Sequence, residues 1–310
     1  MIVVLAGGVG AARFLEGVVT VLPQEQVTII SNTGDDLDFF GLRVCPDIDI
    51  VIYTLAGRVD AARGWGLLHD TFHVVESLRR FVPDVWFNLG DHDLATCLYR
   101  TVRLAAGATL SEVTAEIVRA HGLGVRLLPM TDARVETRVH TPAGELSFQD
   151  YFVRRGTADD VLAVRFAGIE AAVPAPGVLE AIASARAVLV APSNPIVSIG
   201  PILAVPGVRE ALRATTAPVV AVSPIIGGET VKGPAARMLR TLGYEASAAQ
   251  IGLLYRDFLD VLVLDSVDAA LAPVVEATGL RAVVTDTIMR GRHEKAALAR
   301  IALTAAGIDG

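Results

Sequence analysis

Seven short runs of apolar, largely β-branched residues punctuate the chain: Ile2 to Ala6, Val27 to Ser31, Val85 to Asn88, Val188 to Ala191, Val219 to Ser223, Val261 to Asp265 and Ala282 to Asp286. Segments of helical periodicity separate them. Each run is apolar continuously rather than at every second residue, so both faces of each strand must be covered. A mostly parallel α/β sheet between two helix layers meets that demand. Hydrophobic residues make up 52% of the 310, enough for a core on both sides of such a sheet. No apolar run approaches the roughly 18 residues of a membrane-spanning helix.

Several helix ends are readable. Thr109-Leu110-Ser111-Glu112 has the spacing of a capping box ahead of Val113, Ile117 and Val118. Asp47 precedes Ile48, Val51, Ile52 and Leu55, and Gly57 is placed to stop that helix. Val135 to His140 and Glu145 to Phe148 alternate around Thr141-Pro142-Ala143-Gly144 in the manner of an antiparallel hairpin. The expected organisation is therefore an α/β core of residues 1–130 and 187–310, with 131–186 as a smaller cap containing that hairpin.

Charge and cysteine content narrow the function. A net charge of −7 with no basic stripe argues against nucleic acid as a partner. Cys45 and Cys97 are too few and too far apart for a metal knuckle or a disulfide framework. The amino terminus reads directly as a strand without a basic leader, so a cytoplasmic location is expected.

Chemistry concentrates where strands end. Gly7-Gly8-Val9-Gly10-Ala11-Ala12-Arg13 links the first strand to a helix, so Gly7, Gly8 and Gly10 offer backbone amides to a phosphate at a helix start. Arg13 replaces the third glycine of a dinucleotide fingerprint, and Ser31-Asn32-Thr33 lacks its acidic ribose ligand, which disfavours a nicotinamide enzyme. Asp35, Asp36, Asp47 and Asp49 supply oxygen ligands without histidine or thiolate, the set suited to Mg²⁺ shared with a phosphate substrate. Asp47 is placed equally well to cap its helix. Asp35 with Asp49 is the expected metal and catalytic pair, because the two come from different loops. Ser193 and Asn194 follow a buried strand; they either donate to a diphosphate or guanine, or hold their own turn.

Taken in order, Gly7-Gly8-Val9-Gly10, Pro46-Asp47-Ile48-Asp49, Asn88-Leu89-Gly90-Asp91-His92-Asp93, Ala191-Pro192-Ser193-Asn194-Pro195 and Ser223-Pro224-Ile225-Ile226-Gly227 resemble the 2-phospho-L-lactate transferase family of coenzyme F420 biosynthesis. Arg63-Gly64-Trp65-Gly66 leans toward its bacterial, phosphoenolpyruvate transferase branch. The resemblance implies a Rossmann-like, Mg²⁺-dependent homodimer. Its substrates would be lactyl- or enolpyruvyl-diphospho-guanosine and the deazaflavin alcohol Fo, and its products F420-0 or the dehydro form with GMP. It also implies that Asp49 and His92 bind Fo. His92 and Cys97 depart from the family pattern, which has a basic Arg or Lys and a His at those places. Distant relatives that bind UDP-sugars as metabolic regulators are the alternative the sequence leaves.

Overall fold

The computed structural model describes residues 1–60 and 62–308. Seven strands form one sheet in the order Arg281–Thr285, Val261–Asp265, Val219–Val222, Ala187–Val190, Ile2–Ala6, Val27–Ser31, Arg126–Pro129, and every neighbouring pair is parallel. The expected α/β class with a parallel sheet between helices is what the chain adopts.

The central strand shows why its residues are apolar throughout. Ile2, Val4 and Ala6 pack into the core on one face, with Phe14, Ile48, Val113 and Leu298 from the helices Gly8–Val21, Pro46–Leu55, Leu110–Ala120 and Arg292–Ala305. Val3 and Leu5 point the other way, against Ile182, Ile202, Leu212, Leu239 and Ile251 of the second helix layer. Alternate side chains thus enter opposite cores, and a polar residue on either face would be buried. The capping box at Thr109 and Glu112 forms as read, and Gly57 follows the helix Pro46–Leu55 at a φ of 66°.

One expectation fails. Val85 to Asn88 is not a strand; Val85 and Leu89 instead join Phe39, Val44, Val75, Leu94 and Cys97 in a separate small core. The sheet edge beside Val27–Ser31 is taken by Arg126–Pro129. An apolar run of three residues, Val85 to Phe87, fits either setting, and periodicity does not separate them. The hairpin Glu136–Thr141 with Gly144–Ser147 is present and gains a third antiparallel strand, Ala163–Ala167. Further along, the helix Val178–Ala183 packs into the second core of the main sheet.

Helix Gly8–Val21 lies so close to helix Arg292–Ala305 that a Cβ on Gly17 would stand 2.1 Å from the Lys295 carbonyl oxygen. Alanine normally gains about 1 kcal/mol over glycine inside a helix. Here the obstacle is backbone, which no rotamer relieves, so overpacking wins. Gly17→Ala is expected to destabilise the fold by roughly 1–3 kcal/mol in urea unfolding; an unchanged or raised midpoint would contradict this packing.

Candidate active site

Strand order reverses direction between Ile2–Ala6 and Ala187–Val190. Loops leaving those two strands run to opposite sides and open a crevice at the carboxyl edge of the sheet, the usual place for ligands in such folds. The two loops meet there: a Cβ on Gly10 would lie 2.4 Å from the Pro192 carbonyl oxygen. On Gly7 it would lie 2.7 Å from Ser198 Cβ and 2.9 Å from Asp47 Oδ2. Close approach, rather than flexibility, demands glycine at both. Gly8 has a φ of 73°, and its amide donates to Asp47. The helix begins at Gly7 without a side-chain cap and without an acidic residue in its first turn, which leaves its amide dipoles directed at the crevice.

Asp47 does not cap its helix. Cys45 holds the N-cap position with Pro46 next, and the buried Asp47 carboxylate turns toward the glycine loop, where Asn32 Nδ2 donates to Asp47 Oδ2 at 2.9 Å. The same amide nitrogen donates to the Val197 carbonyl at 3.3 Å, while Asn32 Oδ1 accepts from Gly34 N at 2.8 Å. Asn32 therefore ties three loops together.

Asp35 lies beside Asp47. Burial first, and then the Asp47 charge, hold its carboxyl well above the ordinary range; burial likewise raises Asp47 to about 6. Asp35 Oδ1 has no hydrogen-bond partner among the described residues, nor do the buried hydroxyls of Ser31, Thr33, Thr137 and Ser193. Unpaired buried oxygens are costly unless something occupies the space they face.

The expected pairing of Asp35 with Asp49 is not what the side chains do. Asp49 is bound by Arg100, whose fully buried guanidinium donates Nη1 to Asp49 Oδ2 at 3.1 Å and Nη2 to Asp49 Oδ1. Arg100 Nη1 also donates to the Arg43 carbonyl at 3.2 Å. Asp36 accepts from Arg43 at 3.1 Å and from Cys45 Sγ at 3.0 Å, yet burial still raises it to about 7. Asp93 accepts from the Tyr53 hydroxyl at 2.8 Å and is raised to about 7 by burial and then by the Asp49 charge. Asp49, Asp93 and Cys97 can bring one ligand atom each within 4.8 Å of one another, but Arg100 already neutralises that cluster.

His92 opens the helix Asp91–Ala105 with its side chain 74% exposed, its ring 3.8 Å from Asp70. Asp70 accepts from His92 N and Asp93 N at 2.9 and 3.2 Å, capping that helix from 22 and 23 residues away in sequence, a role no local motif announces. Ser193 is buried with a free hydroxyl. Asn194 holds its own turn, its Oδ1 accepting from Ile196 N at 2.9 Å and Val197 N at 3.4 Å. Asn32, Thr137 and Arg100 were not singled out by sequence; a signal existed for Arg100, which shares a helix face with Asp93 and Cys97 at spacings of seven and three.

A family model described as 2-phospho-L-lactate transferase CofD matches residues 2–302. The phosphoenolpyruvate transferase of Streptomyces avermitilis is 47% identical, with 98% of each chain covered. The 2-phospho-L-lactate transferase of Methanococcoides burtonii is 40% identical over 93% of this chain and 94% of its own. Among solved structures, protein BH3568 from Bacillus halodurans superposes with a TM-score of 0.65 at 17% identity, covering 97% of this chain and 98% of that one; this likeness concerns the fold.

The raised acids set a pH dependence. Asp93 titrates near 7 when folded against about 3.9 when unfolded, so between those values the folded state binds the extra proton and stability falls as pH rises. Asp36 and Asp47 act in the same direction. The melting temperature of the metal-free protein is expected to drop from pH 5 to pH 7.5, and Asp93→Asn, which keeps an oxygen for Tyr53, should flatten that slope. An identical slope in the variant would contradict the assignment.

Proposed function

The chain belongs to the 2-phospho-L-lactate transferase CofD family, and from that membership we propose the reaction it performs in coenzyme F420 biosynthesis: transfer of a phosphoenolpyruvyl or phospholactyl group from a guanosine-diphosphate-activated donor to the terminal ribityl hydroxyl of Fo, with release of GMP. The 47% identity to an enolpyruvyl enzyme, against 40% to a phospholactyl one, favours phosphoenolpyruvate as the donor acid.

The observation that carries this reading is the pair of buried carboxylates, Asp35 and Asp47, left without a cationic partner beside a glycine loop at the switch point. Their chemistry fits Mg²⁺: oxygen ligands alone, an unpaired Asp35 Oδ1 and neighbouring free hydroxyls. Asp35 and Asp47 would hold the ion. Bound there, Mg²⁺ supplies charge neutralisation for the donor diphosphate and the departing phosphate. Amides of Val9 and Gly10, beyond the Gly8 amide that Asp47 already holds, would receive the guanylyl-side phosphate, and Ser193 would donate from the facing loop.

Attack by the ribityl oxygen on the phosphorus carrying the three-carbon acid forms one P–O bond and breaks the bridge to GMP; the hydroxyl proton leaves to solvent. Positioning and charge neutralisation suffice, without a covalent nucleophile. Asp91 is not available as a base, because Thr71 Oγ1, His73 N and Val74 N all donate to its carboxylate at 2.6 to 3.1 Å. Asp49 holds Arg100 and shapes the acceptor side.

A cleft of ≈ 210 Å³ walled by Phe39, Phe40 and Trp86 begins at Leu37, the residue after Asp36. Phe40 is held at a φ of 48° and 51% exposed, a strained and solvated position for a phenyl ring. These walls suit one face of a deazaflavin. A homodimer is the assembly that membership of this family implies.

Mass spectrometry of the product formed from each activated donor tests the reaction. Asp47→Asn is expected to lower kcat by roughly 100-fold or more without loss of folding, and Trp86→Ala to raise KM for Fo while leaving the donor's KM unchanged. Wild-type turnover by Asp47→Asn in saturating Mg²⁺ would overturn the reading. The same substitution at Asp49 is a poorer probe, since it weakens the buried Arg100 pair as well.

A further inference from the structure

The outlying three-stranded sheet reaches into the carboxylate site. Thr137 lies on its strand Glu136–Thr141, fully buried, and its amide donates to the Gly34 carbonyl at 2.6 Å. A Cβ on Gly34 would stand 2.6 Å from Thr137 Oγ1, so the glycine before Asp35 is dictated by the approach of this hydroxyl. Gln149, beyond the next strand, donates to the Asp35 carbonyl at 3.2 Å. The backbone on both sides of the Asp35 peptide is therefore clamped by residues more than 100 positions away.

The side chain of Thr137 is not spent in that clamp. It lies beside Asp35, near enough for its hydroxyl to hold that carboxyl's pKa down, yet no bond of ordinary geometry reaches Thr137 Oγ1 or Asp35 Oδ1 among the described residues. A buried hydroxyl that only filled space would be better replaced by a methyl, because the unpaired group costs stability and gives nothing back. A hydroxyl and a carboxylate oxygen that lie close without a well-formed bond, beside a second carboxylate, Asp47, leave an oxygen-lined site in which a cation would be a better partner for both than they are for each other.

We infer that Thr137 is a third oxygen of the cation site, binding the divalent ion through its hydroxyl or through a water that the ion carries, so that the outlying sheet is part of the active site and not a cover for it. The inference rests on the Asp35 and Asp47 reading given above. It also assigns a purpose to the Gly34 carbonyl bond: that bond sets the distance between a residue of the core and one of the sheet.

Mn²⁺ binding, followed by electron paramagnetic resonance in the presence of GDP, together with thermal melting of the metal-free protein, tests the assignment in four proteins. Thr137→Val is expected to weaken Mn²⁺ binding by about tenfold or more while its metal-free melting temperature stays the same or rises, since an unpaired hydroxyl has been removed. Thr137→Ser should bind within about threefold of wild type, and Asp35→Asn should bind barely at all. Wild-type affinity in Thr137→Val with loss in Asp35→Asn overturns the role of Thr137 and leaves the carboxylate site standing. Wild-type affinity in both variants, or no binding to the wild type, overturns the two together. A fall in the melting temperature of Thr137→Val would instead assign the hydroxyl a structural role and also overturn the inference.

Discussion

Arg100 decides where negative charge is left over. Its guanidinium is completely buried and is committed to Asp49, while Arg43 goes to Asp36 and the Tyr53 hydroxyl to Asp93. Five buried carboxylates thus share two arginines and a phenol. Asp35 and Asp47 receive neither arginine; Asp47 has the Asn32 amide and the Gly8 amide, and Asp35 keeps one oxygen unpaired. Burying two carboxylates side by side costs far more than neutral hydrogen bonds return. The pair lies at the carboxyl edge of the sheet, where the proposed cation and phosphate would enter, and their binding would offset that cost.

Packing elsewhere serves the same edge. The close contacts of Gly7 with Asp47 and Ser198, and of Gly10 with Pro192, bring loops from either side of the switch point within reach of one ligand. Asn32 locks them by bonding to Asp47, Val197 and Gly34 at once. A site assembled from such distant segments gains rigidity from the sheet beneath it, which is what the proposed in-line transfer would require of its surroundings.

Strands of continuous apolarity were legible because both their faces are buried, and the capping box at Thr109 because its signal is local. Val85 to Asn88 misled for a physical reason: three consecutive apolar residues can serve a satellite core as well as a sheet. The glycine loop, Asp35 and Ser193 were legible as residues at strand ends, and the structure gathers the glycine loop and the Ser193 loop at one edge of the sheet. Asp47 was open between a cap and a site residue, since its spacing suits both, and Cys45 with Pro46 took the cap instead. The pairing of Asp49 with Arg100 joins residues 51 apart, and Thr137 meets Gly34 across the boundary between the main sheet and the outlying one. Contacts of that kind are set by tertiary folding and leave no local pattern. The curated relatives fix the family, whereas the division of charge among the carboxylates comes from the structure.

Anomalous scattering from Mn²⁺ in crystals grown with GDP tests the division of charge most directly. The account predicts one strong peak between Asp35 and Asp47, with Asp49 still held by Arg100 and the nucleotide phosphate against the Gly7 to Gly10 loop. A peak on Asp49 with Arg100 displaced, or a metal remote from Asp47, would contradict it.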